Sequence, residues 1–232
     1  MAKLLICDFD NTLFNFDDYE NNIKKINEFV NQGNIFIIAT GRHINKLLMD
    51  INDYNIKYSY LICNDGGIIF DQNLKIIYRK DIPPNITKKI IKMYKKDLCI
   101  TDWYIDAGTF ITKKTKYLAN GIIGKITDQE QALDLLTKIT NKFNNVHGYV
   151  SQRWINITQK SVTKLKAIEI INEQLKIKKE KIYTIGDNVN DISMSIYNSY
   201  CMINSIPELK KICLGEYETV AQLIDDITNN NK

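Results

Sequence analysis

Cysteine, histidine and proline are scarce in this chain, and long apolar runs are missing altogether. The five cysteines (Cys7, Cys63, Cys99, Cys201, Cys213) have no metal-type spacing. Three of them, Cys7, Cys63 and Cys201, lie in apolar, strand-like runs, as buried thiols of a reducing compartment do, and not as a disulfide framework. The two histidines, His43 and His147, have no partner pattern and read as structural or exposed residues. The N-terminal apolar run is far too short for a signal peptide or a membrane span, and Asp8 ends it. Net charge is +4, with lysines spread along the chain and no dense basic tract, so nucleic acid is not an expected partner. No repeat or low-complexity tract is present. At 44% hydrophobic and 25% charged, the composition is that of an ordinary globular chain whose 232 residues suffice for one large domain with a smaller insert. A cytoplasmic protein with no membrane partner is expected.

What is present begins at Leu4-Leu5-Ile6-Cys7-Asp8-Phe9-Asp10-Asn11-Thr12-Leu13. An unbroken apolar run reads as a strand buried on both faces of a parallel sheet. An unpaired carboxylate inside such a sheet is very costly. Asp8 therefore belongs at the carboxyl end of the strand, where open α/β sheets hold ligands, with Asp10 in the following turn. Two carboxylates at one strand tip raise each other's pKa unless a cation lies between them. The pair suggests either a hard metal such as Mg2+ or one ionised acid beside one protonated acid. The bland alternative is a strand end followed by a helix-capping Asp.

The pattern then alternates. A helix is expected from Asp17 to Asn31, a strand over Ile35–Ala39 ending in Thr40-Gly41-Arg42, and a helix through Leu47, Leu48 and Ile51. A strand over Tyr60–Cys63 ends in Asn64-Asp65-Gly66-Gly67, and a hairpin turns at Asp71-Gln72-Asn73. Pro83-Pro84 marks a joint. Beyond it come a helix (85–97), strands (98–105 and 108–113), a helix (128–143) and a second hairpin (146–150 and 154–158). Strands and helices without strict alternation suggest an antiparallel sheet with helices on one face. The opening rhythm returns with a helix over 163–175, a strand over Ile182–Ile185 ending in Gly186-Asp187-Asn188-Val189-Asn190-Asp191, a strand at 200–203 and a last helix from Glu218 to about Ile227. The expected fold class is α/β: a Rossmann-like parallel sheet with helices on both faces, plus a small α+β insert with an antiparallel sheet. The core would comprise residues 1–82 and 160–232, and the insert 83–159.

Four strand ends thus carry unusual polar sequences, and a parallel sheet points them all to one edge. Asp8, Asp187 and Asp191 would form an acidic cup suited to Mg2+. Thr40, with the N–H groups of Gly41 and Arg42 at a helix start, suits a phosphate. Arg42 reads as a local capping or salt-bridge residue. Trp103, Tyr104, Tyr149 and Trp154 read as packing of the inserted sheet, one face of which is placed to cover the site. The segment from Lys116 to Lys125 reads as a connector or a substrate-selecting loop.

On these motifs the chain resembles the haloacid dehalogenase-like hydrolase superfamily, in its Cof-type phosphatase branch with a cap inserted between the second and third motifs. Asp8-Phe9-Asp10-Asn11-Thr12-Leu13 is similar to the first motif and Thr40-Gly41-Arg42 to the second. Ser161-Val162-Thr163-Lys164 lies where the family places its lysine, and Gly186-Asp187-Asn188-Val189-Asn190-Asp191 resembles the fourth motif. The sequence departs from the pattern at Ser161 and Leu165, where a glycine often flanks the lysine, and at Asp65, where Asn or Ser is common. The cap is short, resembling those of phosphoglycolate and sugar phosphatases. The resemblance implies a Mg2+-dependent phosphomonoesterase acting on a small phosphorylated metabolite, as monomer or homodimer. Asp8 would be the nucleophile and Asp10 the general acid/base. Mg2+ would be held by Asp8, the Asp10 backbone carbonyl and Asp187, with Asp191 supporting its water shell. Lys164, Thr40 and Gly41 would face the phosphoryl group, and Asn190 would orient the site. A phosphomutase-type phosphotransferase and a silent phosphate-binding regulator are the alternatives.

Overall fold

The computed structural model describes residues 2–14 and 19–229. Its elements in chain order are β1 (Leu4–Cys7), α1 (Tyr19–Asn31), β2 (Ile35–Ala39), α2 (Ile44–Asn52), β3 (Tyr60–Cys63), β4 (Ile68–Asp71) and β5 (Ile76–Arg79). Next come α3 (Pro84–Tyr94), β6 (Ile100–Asp106), β7 (Ile111–Thr112), β8 (Gly121–Ile126), α4 (Gln129–Lys142), β9 (Val146–Ser151) and β10 (Trp154–Gln159). The chain closes with α5 (Lys164–Leu175), β11 (Ile182–Gly186), β12 (Asn198–Met202), α6 (Pro207–Lys210), β13 (Glu216–Tyr217) and α7 (Val220–Asn229). The first two positions of the helix expected from Asp17 lie outside the described residues.

The larger sheet has the order β13-β12-β11-β1-β2-β3-β4-β5, and its strands run parallel except for β4, which pairs antiparallel with both β3 and the edge strand β5. Period-two alternation splits each apolar strand between two cores. Leu5, Cys7, Phe36, Ile38, Leu61 and Cys63 pack against apolar residues of α1, α2 and α7. Leu4, Ile6, Ile37, Ala39 and Ile62 pack against Ala167, Ile168 and Ile171 of α5. Helices therefore cover both faces, as expected for this fold class. From β1 the chain goes one way to β2 and β3, while β11 and β12 lie on the other side. This is a topological switch point, and the crevice beyond its carboxyl edge is the natural ligand site.

The second sheet is antiparallel, with the order β7-β6-β8-β10-β9. One face is apolar: Ile105, Ile122, Ile126, Ile155 and Ile157 pack on α3 and α4. The residues between them, Tyr104, Asp106, Ile123, Trp154 and Asn156, face a cavity of about 690 Å³ that the larger sheet's strand ends also line. Three of the four aromatics read as packing, Tyr104, Tyr149 and Trp154, are thus cavity wall; Trp103 packs on the apolar core as expected. The segment from Lys116 to Lys125, expected as a connector or substrate-selecting loop, contributes residues 121–125 to β8, which lies between β6 and β10.

Candidate active site

The switch point assembles its groups from the ends of β1, β2, β3 and β11 and from the start of α5. β1 ends at Cys7, and Asp8 follows with its N–H donating to Ile185 O at 3.0 Å, so the backbone pins the carboxyl beside β11. Thr163 caps α5 by accepting from Lys166 N–H, which fixes Lys164 as the first helical residue. The Lys164 side chain is fully buried. Its ammonium donates to Asp8 Oδ1 at 2.5 Å and to Asp191 Oδ1 at 2.6 Å. Asp191 also closes a capping box: its Oδ2 accepts from Asp187 N–H at 2.9 Å and Asn188 N–H at 3.0 Å. Gly186 makes room for this, because a Cβ there would collide with the Asp191 carboxyl.

Oxygens of Asp8, Asp187 and Asp191 lie within 4.8 Å of one another. One ammonium against three carboxylates leaves the cluster short of positive charge. Burial pushes the Asp8 carboxyl well above its ordinary range; Lys164 opposes this, and Asp191 and Asp187 add to it. Asp187 is pushed up to about 6, by burial first and by Asp191 second. Burial works against the charge on Lys164, but Asp191 and Asp8 together hold it above its ordinary value. Buried, oxygen-only donors with unbalanced negative charge fit a hard divalent cation such as Mg2+.

Asp10 stands apart from this cluster. Its carboxylate accepts from Arg42 Nε at 2.9 and 3.0 Å and from Arg42 Nη2 at 2.5 Å. Arg42 pairs locally with Asp50 as well, and its guanidinium lies 4.8 Å from the Phe9 ring centroid. Thr40 is buried, and its Oγ1 accepts from Arg42 N–H at 3.1 Å. Gly41 lines the cavity with Asp8, Asp10 and Asp187, while Thr40, Lys164 and Asp191 lie behind its wall. Asn190 also lines the cavity, and its Nδ2 donates to Asp65 Oδ1 at 2.8 Å.

Asp65, noticed in the sequence only as a departure, is a hub. It is buried in a left-handed conformation (φ 57°), and Tyr149 of β9 donates its hydroxyl to Asp65 Oδ2 at 2.8 Å. Burial, then the Asp65 charge, keeps that phenol protonated. A Cβ on residue 41 would lie 3.1 Å from both Asp65 Oδ1 and the Tyr149 hydroxyl, so glycine lets the second sheet reach the Thr40-Gly41-Arg42 loop. Tyr149 carried a signal in the sequence: it alternates with the inward Val146, Gly148 and Val150 and so belongs to the opposite face. His43 and Asp106 also reach the cavity wall, and no motif marks either.

The family model for haloacid dehalogenase-like hydrolases matches residues 5–121 and 115–222. A Buchnera aphidicola (subsp. Baizongia pistaciae) protein, provisionally named a phosphatase, is 25% identical and aligns over 98% of this chain and 98% of its own length. A haloacid dehalogenase-like hydrolase from B. subtilis superposes with a TM-score of 0.85 at 15% identity, covering 97% of this chain and 99% of that one. A Bacteroides thetaiotaomicron phosphatase of the haloalkanoate superfamily gives 0.82 at 15% identity, covering 99% and 95%. The two structures share the fold, and the family match extends through all four polar strand ends: this chain belongs to the haloacid dehalogenase-like hydrolase family.

Proposed function

We propose that this protein is a Mg2+-dependent phosphatase that hydrolyses a small phosphorylated metabolite through an aspartyl-phosphate. The observation that carries this reading is a buried strand-end carboxylate, Asp8, that opens on a cavity while clamped from behind by Lys164 and flanked by Asp187 and Asp191. Segment 83–159 would act as a cap whose polar face closes over the organic part of the ester and keeps bulk water out.

In the first step an Asp8 carboxylate oxygen forms a bond to phosphorus as the ester P–O bond breaks, and Asp10 gives its proton to the departing alcohol oxygen. In the second, Asp10 takes a proton from water, the water oxygen bonds to phosphorus, and the Asp8–phosphorus bond breaks to release phosphate. Arg42 fixes the orientation of Asp10 between these roles. Lys164 and the N–H groups at Gly41 and Arg42 stabilise charge on the phosphoryl oxygens, with Thr40 shaping that loop. Mg2+, which Asp8, the Asp10 carbonyl and Asp187 would hold with Asp191 behind them, supplies charge neutralisation between nucleophile and phosphate when bound. Asn190 holds Asp65, and through it Tyr149, at the rim.

The test is release of p-nitrophenol from p-nitrophenyl phosphate with and without Mg2+. Turnover is expected only with the metal, and Asp8→Asn is expected to abolish it. Turnover retained in Asp8→Asn overturns the nucleophile assignment, and binding of phosphate esters without turnover overturns the enzymatic reading.

A further inference from the structure

His43 follows the Thr40-Gly41-Arg42 loop and caps α2: its Nδ1 accepts from Asn45 N–H at 3.1 Å. An imidazole that accepts at Nδ1 carries its neutral-form proton on Nε2. Burial, and then Lys46, lower its pKa, so the ring is neutral near pH 7. That Nε2–H is buried and has no hydrogen-bond partner among the described residues. An orphaned buried donor costs free energy that a structural histidine avoids by finding an acceptor.

The group it faces is Asp106, at the end of β6 in the second sheet. Asp106 Oδ1 lies 3.8 Å from His43 Nε2, too far for a direct hydrogen bond. His43 is 5% exposed and Asp106 1%, yet both lie on the wall of the cavity that holds Asp8 and Asp10. Asp106 Oδ1 accepts from Gly108 N–H at 2.6 Å, which leaves acceptor capacity on the carboxyl. An oxygen about 2.8 Å from each atom would bridge the 3.8 Å gap with an angle of roughly 85° at that oxygen. A water or a substrate hydroxyl can meet that geometry; an alkyl or aryl carbon cannot.

We propose that His43 Nε2–H and the Asp106 carboxyl together read a hydroxyl group on the organic part of the phosphate ester. The hydroxyl oxygen accepts from His43 and its proton is donated to Asp106. The pair joins the core to the second sheet, one partner from each, and a ligand hydroxyl between them completes its hydrogen bonds where an alkyl or aryl group cannot. This assigns specificity to a residue pair and selects esters of polyols or sugars over simple alkyl or aryl phosphates; it rests on the phosphatase reading for the position of the phosphate. A site built to hydrogen-bond a hydroxyl discriminates strongly against ligands that lack it, because its buried polar groups are then left unpaired.

The experiment uses His43→Asn, which keeps a helix-capping side chain but removes the Nε2 donor. Binding is measured by calorimetry in the Asp8→Asn background, which stops turnover. The probes are glycerol 3-phosphate against propyl phosphate, and hexose 6-phosphates against their deoxy analogues. Phosphate release by the wild-type protein is followed in parallel. We expect hydroxylated esters to bind about 10- to 100-fold tighter than their deoxy partners, with the ratio falling towards one in His43→Asn. Equal affinity within each pair, a ratio unchanged in His43→Asn, or no binding of any ester overturns the proposal. A hydroxyl preference without phosphate release supports the pair and overturns the hydrolase reading alone.

Discussion

Replacing Lys164 by Met tests the electrostatics of the site. Methionine keeps most of the apolar stem and removes the ammonium that lies 2.5 Å from Asp8 and 2.6 Å from Asp191. Removing one partner of a buried ion pair costs about 3–5 kcal/mol, because the other charge is left uncompensated. Here two carboxylates are orphaned, so the upper half of that range applies near pH 8. At about 2–4 °C per kcal/mol for a chain of this size, Tm should fall by roughly 8–20 °C. The loss should shrink on acidification. In the variant, the Asp8 carboxyl, already raised by burial, loses the ammonium that opposes the rise and moves further above its unfolded value, so the folded state binds more protons than the unfolded one between the two. The variant then gains stability relative to wild type as pH falls towards 4. Mg2+ should recover part of the loss, by about 2.7 kcal/mol at a hundred times its Kd. Calorimetry at pH 5 and pH 8, with and without Mg2+, decides the matter. A loss below about 1 kcal/mol, or an equal loss at both pH values, refutes the reasoning and leaves Lys164 a packing residue.

Other predictions concern neighbouring features. In Gly186→Ala the new methyl meets an Asp191 carboxyl that two backbone N–H groups hold in place, so it should destabilise the fold by about 1–3 kcal/mol and weaken Mg2+ binding; a Tm and a Mg2+ affinity both equal to wild type would contradict the crowding. Burial pushes Asp106 from 3.8 up to about 7, with only partial relief from the Gly108 N–H and the Asn64 side chain. A carboxyl whose folded pKa is raised destabilises the fold as pH climbs from about 4 to 7, here by up to on the order of 4 kcal/mol. Asp106→Asn should therefore melt above wild type at pH 8 and close to it at pH 4.5; a Tm difference independent of pH would contradict this.

Much of the architecture was legible because buried parallel strands have no polar face to interrupt them. Leu4–Cys7, Ile35–Ala39, Tyr60–Cys63 and Ile182–Gly186 stand out as apolar blocks, and the polar residues that end each block are those gathered at the sheet edge. The strand β8 was hidden by its glycines. Gly121 and Gly124 mimic a loop in sequence, but a Cβ at Gly124 would clash with Ile155 and Tyr94, so the glycine is there for packing. The 3-10 segment Val189–Ile196 is held by the Asn188–Asp191 capping box, which lies inside the polar motif that ends β11. His43, Asp106 and Tyr149 reach the cavity only because the second sheet turns one face towards the first. That meeting spans 63 residues for His43 and Asp106 and 84 for Asp65 and Tyr149, beyond any local pattern. Arg42 was read as a local ion-pairing residue; it does pair with Asp50, but it also secures Asp10, and only the fold shows that.

The central claim is that Asp8 carries the phosphoryl group between two half-reactions. The most direct measurement is rapid acid quench of the protein during turnover of a phosphate ester with Mg2+, followed by peptide mass spectrometry. The account predicts one phosphoryl group on the peptide containing Asp8, absent from Asp8→Asn and from reactions without Mg2+. A phosphoryl group on another residue, or phosphate release continuing in Asp8→Asn, would contradict it.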